Sequence, residues 1–210
     1  MNQIDRRTAL AGTMLAGSFA AGSGSARAAP GKVATSPTAQ LDMLLSRAQI
    51  EEVLMQYARG NDHADEAMIR DCFWPESTHK HGGFDGRSQD FVGFAMKILT
   101  KLKYCAHHIS NVSIRVKGDR AFSECYYFAH HRRETKDGTG EEDAFFEGRY
   151  LDFLERRGGV WKIIRRRGLS DYTADPIPAN TPFAAWPAGT HTERSRDDEW
   201  YRMLAQFDAA

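Results

Sequence analysis

The chain has 210 residues, with 28 basic and 28 acidic side chains and a formal net charge of zero. Such an even balance gives no general attraction to phosphate backbones or anionic membranes, which argues against a nucleic-acid or membrane-surface role. The length suits a single domain able to bury its own core, and no segment beyond the N-terminus approaches the ~18 apolar residues needed to cross a bilayer.

At the N-terminus, Arg6-Arg7-Thr8-Ala9-Leu10 opens a weakly apolar Ala/Gly-rich stretch reaching about Ala21. Paired arginines before a core of low hydrophobicity read as a twin-arginine export signal. Small residues at Ala26 and Ala28 place the cleavage after Ala28, so residues 1–28 are expected to be removed and the protein to reach the periplasm. Their loss takes away Arg6, Arg7, Arg27 and Asp5 and leaves a formal charge of −2. Residues 29–38, rich in Pro, Ser, Thr and Ala, read as a flexible leader.

Leu41, Leu44, Leu45, Ala48, Ile50, Val53, Leu54 and Tyr57 recur at helical spacing, which predicts one amphipathic helix over 39–60. Gly60 and Asn61 are expected to end it, leaving Asp62 in the following loop. A second helix is expected from Asp65 to about Phe73, stopped by Pro75. His79 to Phe84 reads as extended, with turns at Gly82-Gly83 and Asp85-Gly86, and residues 88–103 as a third helix. The periodicity then becomes two, and residues 106–116, 121–134, 143–156 and 160–172 read as four strands of an antiparallel meander. The Arg165-Arg166-Arg167 run falls within the last strand and reads as an alternating edge. Residues 173–210 form a C-terminal extension, Pro-rich to about Thr192, with a possible helix over 194–207. Cys72, Cys105 and Cys125 are an odd set, best read as buried free thiols.

Helices followed by a run of antiparallel strands predict an α+β domain, a cone-shaped barrel in which a curved sheet wraps the N-terminal helices around one apolar pocket. The order of elements, with Tyr57-Ala-Arg-Gly-Asn-Asp62, His81-Gly-Gly-Phe84, His107-His-Ile-Ser-Asn111, Lys117-Gly-Asp-Arg120 and Gly148-Arg-Tyr-Leu-Asp152, resembles the SnoaL-like group of the nuclear-transport-factor-2-like superfamily over residues 39–172. Members similar in this arrangement include scytalone dehydratase, bile-acid 7-alpha-dehydratase and a hexachlorocyclohexane dehydrochlorinase. The resemblance implies a cofactor-free lyase with an Asp/His pair, assembling as a homotrimer. Position by position, Asp62 and His107 match the family's catalytic pair, Tyr57 a tyrosine that polarises substrate, and Asn111 an asparagine in the dehydrochlorinase run. The superfamily also holds isomerases, cyclases and plain binding domains, so fold alone does not settle function.

The residues themselves leave competing readings. His107 and His108 point to opposite faces of a strand. Counting back from Val112, Ile114 and Val116 turns His108 inward unless a bulge intervenes, whereas the family pattern selects His107. Asp62 could instead cap the helix beginning near Asp65. Tyr57 lies on the apolar face of its helix, where packing is the ordinary role. Six of the eight histidines lie between positions 79 and 131. His79 and His81, with one histidine from each adjacent pair, could ligate a metal, although the family reading requires none. His81 and His131 suit pocket hydrogen-bonding positions, and His79 and His130 suit wet surface ones. Phe73, Trp74, Phe84, Tyr126, Phe128, Phe145 and Phe146 are candidates to line the pocket.

The expected activity is elimination from a small hydrophobic cyclic or aromatic substrate, with Asp62 and His107 catalytic, Tyr57, His81, Asn111 and His131 binding substrate, and neither metal nor cofactor. An isomerase, a metal enzyme built on the histidine cluster and a non-catalytic carrier are the alternatives.

Overall fold

The Ser36 hydroxyl accepts a hydrogen bond from the Ala39 amide at 3.1 Å, and Pro37 follows it, so capping and a preset φ together start the first helix. That helix, α1 (Pro37–Asp62), runs 26 residues in a computed structural model that describes residues 36–186 and 191–210. The expected export signal and residues 29–35 of the leader lie outside the described residues. After α1 come α2 (Glu66–Asp71), β1 (Phe73–His81), β2 (Phe84–Arg87) and α3 (Ser88–Leu99). The long strands β3 (Tyr104–Lys117), β4 (Arg120–Glu134), β5 (Glu141–Arg157) and β6 (Val160–Thr173) follow, then the short β7 (Ile177–Pro178) and α4 (Glu199–Asp208).

The sheet order is β2-β1-β6-β5-β4-β3, with β7 beside β5. All neighbours are antiparallel except β1 and β6. The four-strand meander expected from the alternating pattern is present, and the open, curved sheet packs against α1 and α3. Ile50, Leu54, Ile69, Val92, Cys105, Cys125, Leu154 and Ile163 meet in the core. All three cysteines are free and buried, as expected from the sequence. Among the described residues, no helix is long and apolar enough to cross a membrane.

Several boundaries differ from expectation, α3 ending at Leu99 and α4 beginning at Glu199 among them, and three differ for identifiable reasons. Gly60 and Asn61 lie within α1 rather than ending it. A Cβ at Gly60 would stand 2.7 Å from Ile69 Cγ1, so glycine here permits close packing of α2. The turn comes later, at Ala64 (φ 51°), which makes Asp62 the last residue of α1 instead of a loop residue. Pro75 lies inside β1, in the stretch between Phe73 and Thr78 where the pairing with β6 is interrupted and a missing amide costs little. Asp85 and Gly86 belong to β2, paired with Lys80 and His79, and do not form a turn.

The β3–β4 register shifts between Ser110 and Ser113, with Asn111 at φ 50°. This bulge reverses the inward parity of β3. Ile114 is buried beyond it, while before it His107 turns inward and His108 outward against Phe128. Asn111 itself is exposed and outside the pocket, which corrects its expected place among the substrate-binding residues. Asparagine tolerates the left-handed conformation better than most residues, so its role here is to hold the bulge. Asn111→Gly should therefore be nearly neutral in urea unfolding, whereas Asn111→Val should cost ~1–2 kcal/mol; equal midpoints for the two variants would contradict this assignment.

Candidate active site

Asp62, at the end of α1, faces His107 on β3. Its Oδ2 accepts the His107 main-chain amide at 3.1 Å, and its Oδ1 lies 2.7 Å from His107 Nδ1. Both carboxylate oxygens are thus used by one residue. Helix capping falls to Asp65, whose side chain accepts from the Met68 amide at 3.1 Å, so the capping alternative for Asp62 does not hold. Because an ionised carboxylate only accepts, the tautomer of a neutral imidazole that this contact favours carries its proton on Nδ1 and its lone pair on Nε2. His107 lines a cavity of about 300 Å³. With Nδ1 engaged by Asp62, Nε2 is the nitrogen available to that cavity.

The cavity lies between α1, α3 and the inner face of the sheet. Tyr57, His81 and His131 line it together with His107, as expected from the sequence. The aromatic expectation fails in detail. The cavity aromatics are Tyr57, Phe91, Phe94 and Tyr150, with Ala95, Ile98 and Leu99 as aliphatic wall. Phe73 is buried in the core, Trp74 packs under Arg157, Phe84 stands behind Phe91, and Phe146 packs on His131. The strand register puts Tyr126, Phe128 and Phe145 on the outer face. Strand alternation alone could have removed these three once the inward parity of β4 was known.

Beneath the cavity, Arg166 and Asp152 form a fully buried ion pair through Nε and Nη2, at 2.8 and 2.7 Å. The guanidinium lies 4.0 Å from the Tyr57 ring centroid and 4.3 Å from that of Tyr150. Arg166 is therefore a support beneath two cavity tyrosines, not part of a solvated arginine edge; its neighbours Arg165 and Arg167 alternate to the other face. Burial raises the Tyr57 phenol above its ordinary range, with Arg166 opposing, so the hydroxyl stays protonated and able to donate.

His81 and His131 are held neutral. Burial, aided by Arg166 and His107, pushes His81 down to about 4. Burial, aided by His107, pushes His131 down to about 3. His81 rests against Gly168, where a Cβ would come within 2.5 Å of its ring, so only glycine leaves room for it. His79, expected at a wet surface, is instead 1% exposed and stacked on Phe91 at 3.6 Å. His130 lies 2.6 Å from Asp143 on the outer face.

Cys105, His107 and His131 bring potential ligand atoms within 4.8 Å of one another, a different set from the His79/His81 grouping. Burial and the nearby Asp62 raise the Cys105 thiol far above its ordinary range, so it stays protonated in the metal-free protein, and Asp62 engages His107 Nδ1 while leaving Nε2 open.

Residues 42–167 match the SnoaL-like domain model, and the chain belongs to that family. Its fold is that of the nuclear-transport-factor-2-like superfamily. Uncharacterised proteins of Mycobacterium tuberculosis and Mycobacterium bovis are 28% identical over 123 residues, covering 57% of this chain and 82% of theirs. A type 2 hexachlorocyclohexane dehydrochlorinase shares the fold with a TM-score of 0.60 and 22% identity, over 70% of this chain and 99% of its own. A protein of Novosphingobium aromaticivorans provisionally assigned as a scytalone dehydratase gives 0.57 and 24%, over 70% and 97%. At these identities the structural likeness establishes the fold alone.

The buried neutral imidazoles carry a stability consequence. His79 Nδ1 and Nε2 have no hydrogen-bond partner among the described residues, and burial pushes the group down to about 2, against 6.5 for an ordinary histidine. As pH falls below 6.5 the unfolded chain takes up a proton that the folded one refuses. Stability from this group is therefore complete above that pH and is lost toward acid, at up to ~1.4 kcal/mol per pH unit. Between pH 7 and 4, the melting temperature of His79→Leu should fall less steeply than that of the parent; parallel slopes would contradict the assignment.

Proposed function

We propose that the protein is a cofactor-independent lyase that eliminates water or another small group from a small hydrophobic cyclic or aromatic substrate. The observation that carries this reading is the 2.7 Å contact from Asp62 to His107 Nδ1, with the other ring nitrogen left for an apolar cavity. In the proposed reaction His107 Nε2 removes a carbon-bound proton. The C–H electrons form the new double bond, and the leaving group departs with its bonding pair. Asp62 fixes the tautomer and stabilises the imidazolium as the proton arrives. Tyr57, with His81 or His131, hydrogen-bonds the substrate oxygen where negative charge develops or protonates the departing group. The Phe91, Phe94 and Ile98 wall supports a ring-bearing substrate.

General acid–base catalysis contributes ~10²–10⁴-fold, so His107→Ala should lose activity on that scale and Asp62→Asn less. Rates on a panel of hydroxylated aromatic and steroid compounds, with product masses, test this. A product lighter than its substrate supports elimination, whereas equal masses favour an isomerase. Binding without turnover favours a carrier, and an unaffected His107→Ala rules the pair out. Stoichiometric metal in the purified protein would redirect the reading to Cys105, His107 and His131.

We also propose a periplasmic, trimeric enzyme. The Arg6-Arg7 stretch supports export. Phe122, Tyr126, Phe128 and Phe153, each 37–41% exposed on the outer face of β4 and β5, supply an apolar surface for association. Sedimentation equilibrium should give three copies, with Phe128→Asp shifting the mass toward one; a monomeric parent would contradict the assembly.

A further inference from the structure

Behind the site, the C-terminal extension returns to the end of α1. Arg194 Nε donates to the Asp62 carbonyl at 2.9 Å and Nη2 to the Asn61 carbonyl at 3.0 Å. Nη1 donates to the Leu102 carbonyl at 3.1 Å and also to the Leu99 carbonyl. One guanidinium therefore joins the C-terminal ends of α1 and α3, where the last carbonyls lack intrahelical donors and the helix dipoles favour a cation. Leu99 lines the cavity, and Asp62 orients His107.

The segment carrying Arg194 is itself held in place. Buried Asp198 accepts the Glu193 amide at 2.7 Å and caps α4 through the Trp200 amide at 2.9 Å, closing the loop around Arg194. Tyr201 donates to Asp65 at 2.6 Å, Arg196 pairs with the same carboxylate at 2.8 Å, and Trp200 stacks on His63. These contacts fall on residues 63–65, the turn immediately after Asp62.

We propose that Arg194 is a positioning residue for the proposed reaction: it clamps the main chain of Asp62 so that the carboxylate keeps its two-point hold on His107. The inference rests on the Asp62/His107 reading above. Fixing the peptide from one side and the carboxylate from the other removes the freedom of α1's last turn to fray, the ordinary behaviour of a helix end. Without the clamp, the Asp62 and Leu102 carbonyls lose a charged donor and Asp62 can drift. A misplacement of about 1 Å at such a group can cost ~10²-fold in rate.

The test compares full-length parent, Arg194→Lys, Arg194→Gln and Arg194→Met by histidine ring 1H–15N spectroscopy. Circular dichroism melts verify folding, and turnover is followed once a substrate is known. The parent should show a downfield Nδ1–H resonance from His107 that disappears in Asp62→Asn. Arg194→Met should broaden or lose that resonance and slow turnover ~10²-fold while still melting cooperatively, with Arg194→Lys recovering part of both. An unchanged resonance in folded Arg194→Met would leave Arg194 a mere anchor for the tail and overturn the proposal. If that variant does not fold, Arg194→Gln decides by the same reading. Absence of the resonance in the parent would instead overturn the Asp62/His107 pair, and the positioning role with it.

Discussion

The carboxylate of Asp62 is the contact on which the site depends. It is the last side chain of α1, and it binds both the main-chain amide and the ring of His107 across the gap to β3. Satisfying an amide and an imidazole with one carboxylate fixes where the helix ends relative to the strand. It also fixes which ring nitrogen carries the proton. The later turn at Ala64, the bulge at Asn111 and the capping of α2 by Asp65 all free Asp62 and His107 to meet.

The surroundings set how the pair can be used. Tyr57, His81 and His131 share the cavity with His107, and beneath its tyrosines the charges of Arg166 and Asp152 neutralise each other. The cavity presents apolar wall on the α3 side and proton donors or acceptors on the α1 and sheet sides. Such a division suits a substrate that offers a ring to one side and a proton and leaving group to the other. The buried ion pair is better understood as a support held by its tyrosine stacking than as a source of stability, since desolvation offsets much of the attraction between its charges.

Much of this was legible in the sequence because the main signals are local. The alternating pattern marked the four long strands, the 3.6-residue pattern marked α1 and α3, and the resemblance of the Asp62 and His107 runs to the SnoaL-like pattern pointed to the two residues that meet. What could not be read depended on contacts between distant segments. Gly60 reads as a helix stop until Ile69 is seen packed against it. The inward parity of β3 depends on a single left-handed residue, Asn111, so counting from Val112 selects the wrong histidine. Arg166 lies in a run of three arginines and is distinguished only by facing Asp152, fourteen positions earlier. Arg194 lies at the start of the stretch expected as a last helix, but α4 begins only at Glu199, after its Asp198 cap, and nothing local marks Arg194 as reaching α1 and α3.

Chemical rescue tests the central claim, that His107 is the base in this cavity, most directly. With a turned-over substrate in hand, His107→Gly should be nearly inactive and should recover turnover as imidazole is added, in proportion to the neutral imidazole present, because the free base fills the space of the missing ring. A His107→Gly protein as active as the parent would contradict the account, as would a folded, inactive one that imidazole fails to restore although it binds the substrate normally.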